Sequence, residues 1–385
     1  MLRLRLAVAL ALLPAAAVCA GAFSGQAAAR TNPAAGGGGG RTTPVPARTS
    51  AATMRVAAIK HYGQAANASG FSVIVATGAR QAWAFGGTNP GGPSTPIAAQ
   101  WNGLNLTPSK LPAGLTGFID DASAPAANDV WAASQYGRYV LHWNGLGWRI
   151  ARQWQSGQIT DVTATSASNV WVFGTTITGA RTIGTWHLDG RTWSPVKGAA
   201  DAIYRASAVS QSDIWAIAAR PGGPVILRYD GRAWLRMRTG PALNGIQLQD
   251  ILAVSSRDVW VAGNSVSRTG STHLELVHWN GSYWSRLANG PSAWAGLLAP
   301  GPEGQVLLTA APANASATGL IVHASPSGWG STIVVEDGLG SGVSDVALAP
   351  RASSLWATGG ILTRVGGAAA IWSGPLIQAD HPENA

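Results

Sequence analysis

From about residue 70 onward the chain is written in short apolar or alternating runs, such as Asp161-Val-Thr-Ala-Thr165 and Asp250-Ile-Leu-Ala-Val254. Apolar residues do not recur at the spacing of a helix face. Gly, Pro and Asn interrupt the pattern roughly every 8–12 residues, so the runs predict short strands joined by tight turns. Two motifs give the strands an order. An apolar pair ending in Trp comes first: Ala82-Trp83, Asp129-Val-Trp131, Asn169-Val-Trp171, Asp213-Ile-Trp215, Asp258-Val-Trp260 and Leu355-Trp356, with Val306-Leu307 holding the place once. A seven-residue His…Trp spacing follows it: His142-Trp-Asn-Gly-Leu-Gly-Trp148, His187-Leu-Asp-Gly-Arg-Thr-Trp193, His278-Trp-Asn-Gly-Ser-Tyr-Trp284 and a decayed copy from His323 to Trp329.

The anchors at 83, 131, 171, 215, 260, 307 and 356 lie 48, 40, 44, 45, 47 and 49 residues apart. A period of this length holding four strands is that of a propeller blade. The expected fold class is all-β: a single seven-bladed β-propeller, four antiparallel strands per blade. In each blade strand A is small and apolar, B carries the Trp, C ends in His-Trp and D reaches the second Trp. Asn144-Gly145, Asp189-Gly190, Asp230-Gly231 and Asn280-Gly281 predict two-residue type I′ turns between C and D. That register sets Leu141 opposite Trp148 and Trp186 opposite Trp193. It puts Leu141, Trp143, Leu146 and Trp148 on one face and His142 on the other. Arg55-Val-Ala-Ala-Ile59 is expected to add as the outer strand of the last blade, because only a weak strand around Leu376 to Gln378 follows Trp372 and the sheet edge needs cover.

The Asp-Val-Trp-Ala and His-Trp-Asn-Gly-x-x-Trp pair resembles the secreted β-propeller repeat proteins of high-GC Gram-positive bacteria, loosely similar to kelch and galactose-oxidase-like propellers. The resemblance spans about residues 70 to 372 and implies a fold and a bacterial, secreted setting, not an activity. The Gly-His…Trp-Asp signature of WD repeats is missing, kelch glycine doublets are not periodic, and Asp189-Gly-Arg-Thr-Trp193 matches half of a sialidase Asp-box.

Arg3 and Arg5 followed by an Ala-rich apolar run predict a secretory signal over 1–29, with cleavage after Ala20, Ala22 or Ala29. Residues 30–53 read as a disordered Gly/Ala/Pro-rich linker, 54–378 as the propeller and 379–385 as a tail. The run is too short for a stable membrane span after processing. The single cysteine, Cys19, falls inside the signal, so no disulfide is expected. The expected location is extracellular, in association with the cell envelope or free of it. A net charge of +9 favours anionic partners.

The conspicuous chemical residues fall on repeat positions. His142, His187, His278 and His323 occupy one position in successive blades, too far apart to share a metal, and are expected to be hydrogen-bonded scaffold. Neither a metal site nor a cofactor is expected. Asp129, Asp213 and Asp258 belong to the A–B turn, and Asp189 and Asp230 to the C–D turn, where Asp satisfies nearby backbone groups. Asp121, Asp161, Arg205, Asp250 and Asp345 share a place on strand A near one channel mouth, as structural residues or as a polar ring open to a ligand or cation. There is no Gly-x-Ser-x-Gly, no His-Glu-x-x-His and no Glu cluster, and for the two carboxylates a glycosidase needs, the acids off the repeat positions are Glu275, Glu303 and Glu336-Asp337, apart from Asp120, Asp201 and those of the C-terminal tail.

Trp154 and Trp294 fall off the repeat positions, in D–A connections, and are either rim packing or ligand contacts. The B–C and D–A connections are longer and more variable than the A–B and C–D turns, and Arg152, Arg236 and Arg238 lie on or beside their side. The expected function is a non-enzymatic binding module, monomeric, recognising an anionic or cell-envelope polysaccharide or a surface protein through the long-loop face and Trp154, Trp294, Arg152, Arg236 and Arg238. A nucleic-acid partner is not expected. Two alternatives stay open: a secreted carbohydrate-active hydrolase or lyase using the channel mouth, and a structural envelope protein without a small ligand.

Overall fold

The Trp and His-Trp runs fold as neighbouring strands of small antiparallel sheets. The computed structural model describes residues 53–62, 68–89, 94–175, 183–196, 202–313, 319–335, 341–349 and 354–375. The expected signal, nearly all of the linker, the weak strand at Leu376 to Gln378 and the tail lie outside the described residues. The chain starts with β1 (Thr53–Lys60). The first sheet is β2 (Ala68–Gly78), β3 (Gln81–Asn89), β4 (Thr95–Trp101) and β5 (Leu106–Pro108). The second is β6 (Asp121–Ala126), β7 (Asp129–Ser134), β8 (Tyr139–Trp143) and β9 (Trp148–Gln153). The third is β10 (Gln158–Ser166), β11 (Asn169–Thr175), β12 (Trp186–Asp189) and β13 (Thr192–Pro195). The fourth is β14 (Ala202–Ser210), β15 (Asp213–Ala219), β16 (Val225–Tyr229) and β17 (Trp234–Arg236), and the fifth is β18 (Gln247–Ser255), β19 (Asp258–Val266), β20 (Thr272–Trp279) and β21 (Trp284–Arg286). Strands β22 (Ala293–Pro300), β23 (Val306–Pro312), β24 (Gly319–Ser325), β25 (Gly328–Val335), β26 (Ser341–Leu348), β27 (Ser354–Thr363) and β28 (Gly366–Pro375) complete the list.

Seven separate four-stranded blades were expected; the structure has five. The other eight strands form one sheet, in the order β22-β23-β24-β25-β1-β28-β27-β26. The cause is β1, which hydrogen-bonds on both edges. It runs antiparallel to β28 from Arg55 to Lys60, as the sequence predicts, and parallel to β25 at Thr53 and Met54. Met54 is buried there, in one cluster with Ile333, Val335 and Trp372.

The C–D hairpins also differ from expectation. Trp143 faces Trp148, Tyr229 faces Trp234 and Trp279 faces Trp284, so these loops have four residues rather than two. Asn144 Oδ1 accepts the amides of Leu146 and Gly147, and Asp230 and Asn280 do the same for their own loops. A side-chain acceptor that satisfies two amides favours this wider turn. Only the glycine takes a positive φ, +89° at Gly145, whereas type I′ requires it of both residues. In the third sheet Leu188, not Trp186, faces Trp193, and Trp186 faces Pro195. Leu141, Trp143 and Trp148 still share a face opposite His142, but Leu146 sits exposed in the turn.

Each strand-B Trp packs into the next sheet. Trp83 meets Trp143 and Trp148 at ring separations of 5.0 Å, Trp171 meets Tyr229 at 4.8 Å, and Trp215 meets Trp284 at 6.0 Å. Burying these rings accounts for much of the adhesion between sheets, since replacing a core Trp by Ala costs about 3–5 kcal/mol. The described residues all belong to one unit, Ala51–Ala385. None of their helices is long and apolar enough to cross a membrane.

Candidate functional site

The first strands of successive sheets lie side by side and line the centre. In four of them a register shift falls just before the central polar residue, between Ile159 and Asp161, Ile203 and Arg205, Leu248 and Asp250, and Val343 and Asp345, whereas Asp121 opens β6 ahead of its shift between Ser123 and Ala126. A bulge re-aims the side chain that follows it, and here the carboxylates reach the next sheet. Asp121 Oδ2 accepts the Val162 amide at 2.6 Å, Asp161 that of Ala206 at 3.1 Å, Asp250 that of Leu298 at 2.7 Å and Asp345 that of Ile74 at 2.9 Å. Arg205 takes the equivalent place in the fourth sheet and reaches backward, donating to the Thr160 carbonyl at 2.9 Å. Its Nε lies 3.8 Å from Asp250 Oδ1.

The ring is therefore rich in buried carboxylate around one guanidinium. Burial pushes the Asp345 carboxyl up to about 7 against the two amides it accepts. Burial likewise takes Asp121 to about 6, with Arg205 pulling the other way. Asp161 and Asp250 are raised for the same first reason. Burial opposes the charge on Arg205, but Asp250, Asp161, Asp121 and Asp120 outweigh it and raise its pKa. Asp120, which the sequence did not single out, is pushed by burial to about 7 and accepts the Gln135 amide. Its adjacency to Asp121 was the available signal. Among the described residues no three His, Cys, Asp or Glu side chains are grouped to hold a metal ion.

The repeat histidines are tied into the sheets. His142 stacks on Trp131 at 4.0 Å and bonds Asp129 at 2.8 Å, and Asp129 also accepts the Trp131 indole N–H at 2.9 Å. Arg149 can only donate, so its contact to Nδ1 places the imidazole proton on Nε2. Burial lowers the His142 pKa, outweighing the Asp129 hydrogen bond. His278, Asp258 and Trp260 repeat the arrangement. Arg228 replaces the His in the fourth sheet, bonding Asp213 through two nitrogens and lying 5.1 Å over Trp215. Asp129, Asp213 and Asp258 thus serve side chains, not the turn backbone expected of them.

The expected ligand contacts do not converge. Trp154 packs on Trp186 and Trp193, and Arg152 lies 3.8 Å over the Trp186 ring. Trp294 is 41% exposed at the start of β22. Arg236 and Arg238 are exposed and line an open groove of about 520 Å³ between the fourth and fifth sheets, walled by Trp279, Tyr283 and Trp284. The aromatic wall was missed because Trp279 and Trp284 are repeat residues; Tyr283, a departure from the repeat at a turn tip, was the signal.

Four-stranded antiparallel blades around a lined centre define the class: this is an all-β propeller. No protein-family model matches the chain, and no curated protein matches it at significant similarity. Among solved structures it is similar to YCF48 bound to D1 peptide, at 13% identity and a TM-score of 0.55, over 86% of this chain and 99% of that one. A catalytically inactive virginiamycin B lyase from Staphylococcus aureus with quinupristin matches at 9% identity and a TM-score of 0.47, over 80% of this chain and 96% of that one. The second score is too low to carry an argument, and the first speaks to fold alone.

Proposed function

We propose that this chain is a non-enzymatic binding module that engages an anionic partner through exposed arginines at the end of an outer strand and just beyond it. One observation carries the reading. The channel carboxylates and repeat histidines are engaged in holding the sheets, whereas Arg236 and Arg238 stand exposed with no ion pair, beside an aromatic-walled groove. Rigid sheets presenting exposed groups on connections suit recognition. By analogy of fold with the peptide-bound propeller named above, we take a surface protein rather than a polysaccharide as the partner. Anionic partners should be captured from an extract of the cell surface at low ionic strength and released by salt. Capture that does not depend on salt would overturn the reading.

We infer two further points from the same reading. The eight-stranded sheet serves as two units of four, giving a seven-membered ring: β22 lies beside β26, and β26 beside β2, with Asp345 bonding Ile74 across that last junction. A crystal structure with any other number of first strands around the channel would overturn this. The chain is also proposed to leave the cell, with 1–29 removed; N-terminal sequencing of protein from culture medium tests it, and an intact Met1 would refute it.

A further inference from the structure

Among the described residues, the groove between the fourth and fifth sheets brings together exposed cations, exposed aromatic surface and an open sheet edge. One side is the chain leaving β17. Met237 donates its amide to the Ile226 carbonyl at 2.9 Å, so the extended course continues past Arg236. Met237 turns inward, onto the cluster of Trp215, Ile226 and Trp284. Its neighbours Arg236 and Arg238 are left on the solvent side, where residues two apart in an extended chain recur at about 7 Å. The other side is the fifth hairpin, where the Trp279 and Trp284 rings meet at 5.4 Å, tilted by 41°, and Tyr283 stands 61% exposed. No acidic residue lines the groove. Strand β17 ends its sheet, so its outer edge has no strand partner.

We infer that this groove docks an extended acidic peptide segment of a partner protein, with carboxylates at alternate positions meeting Arg236 and Arg238 and an apolar side chain lying on Tyr283 and Trp279. The spacing argues for a peptide, because an extended chain repeats its side chains at the same ~7 Å. The unpaired edge argues likewise, since main-chain N–H and C=O groups can add to it as a further strand. The inference rests on the reading of the chain as a binding module and assigns that module its site and its ligand class.

Random dodecapeptides displayed on phage, selected on the wild-type protein and counter-selected on an R236S/R238S double variant, test it. Selected peptides should carry Asp or Glu at alternate positions. The affinity of the best should fall about tenfold or more in the double variant, fall less in Tyr283→Ala, and stay unchanged in Arg191→Ser, an exposed turn arginine of the third sheet. Polygalacturonate, titrated in parallel, separates the partner classes. Enrichment of neutral or basic peptides, or acidic peptides that bind the double variant equally well, overturns the groove assignment while leaving an anionic partner possible elsewhere. Groove-dependent binding of polygalacturonate without peptide binding overturns the peptide. Failure of both to bind wild type overturns the binding-module reading as well.

Discussion

Asp345 closes the ring onto the first sheet, and its substitution by Asn should make the stability of the protein less sensitive to pH. The carboxyl is buried, accepts the Ile74 and Val346 amides, and faces Asp250 and Asp121. Its pKa rises from 3.8 to about 7. A raised folded-state pKa means that the unfolded chain releases this proton first. The stability it contributes is whole below about pH 4 and is lost as pH rises through about 7. Over some three pH units, at ~1.4 kcal/mol each, the loss at this one site is roughly 4 kcal/mol. For a domain of this size that corresponds to about 6 °C in Tm.

Asn at position 345 has no proton to lose. At pH 4.5 it stands in for the protonated acid and should cost about 1 kcal/mol for the lost acceptor. About 1 kcal/mol of the loss has already occurred by pH 4.5, so the difference in Tm between wild type and D345N should shift by roughly 5 °C in favour of the variant between pH 4.5 and pH 8. Thermal melts followed by tryptophan fluorescence at half-unit pH steps measure this. Parallel curves for the two proteins would mean that Asp345 is ionised in the folded channel throughout, and would refute the burial argument.

Three other outcomes are expected. Trp215→Ala, at the junction of the fourth and fifth sheets, should destabilise by about 3–5 kcal/mol in urea melts; Leu146→Ser, at a 91% exposed position, should shift the midpoint by less than about 0.5 kcal/mol. Asp129→Ala should cost about 1–3 kcal/mol for each partner it strands, the Trp131 indole and the His142 ring, and Asp129→Asn should recover part of this by keeping one oxygen. Gly86→Ala should prevent folding to the native state, read as loss of near-ultraviolet circular dichroism, because a methyl there would overlap the Gly70 carbonyl oxygen across the first-strand bulge.

The period and the strand order were legible because Trp recurs where each sheet must fill the gap to the next. The turn chemistry was less so. An Asn-Gly pair reads as a two-residue turn, yet an Asn side chain that satisfies two amides stabilises four residues instead, and local sequence does not say which wins. The double pairing of β1 was invisible for a different reason. It depends on the edge of β25 being open next to the edge of β28, a tertiary circumstance that the Thr53-Met54 sequence does not encode. Ring residues Asp121, Asp161, Asp250 and Asp345 were locatable by register alone, and their partners in the next sheet were not. The groove at Arg236 and Arg238 was half visible, since its other wall comes from a hairpin more than forty residues away.

Repetition and departure from it carry different information in this chain. A residue that recurs at one blade position answers a demand that every blade makes. Asp129 and Asp258 fix the same Trp–His stack, and Asp121, Asp161, Asp250 and Asp345 bond the same amide of the next sheet. Chemistry located at such positions is shared out around the ring and consumed there. Arg205 departs from that pattern for an internal reason: a ring of buried carboxylates without it would hold no positive charge near Asp250. Arg238 and Tyr283 depart from it with no internal reason, and Arg236, unlike its counterpart Arg286 in the fifth sheet, which pairs with Glu275, makes no ion pair. Exposed groups that the scaffold does not require are the residues a partner can use, and three of them line one groove.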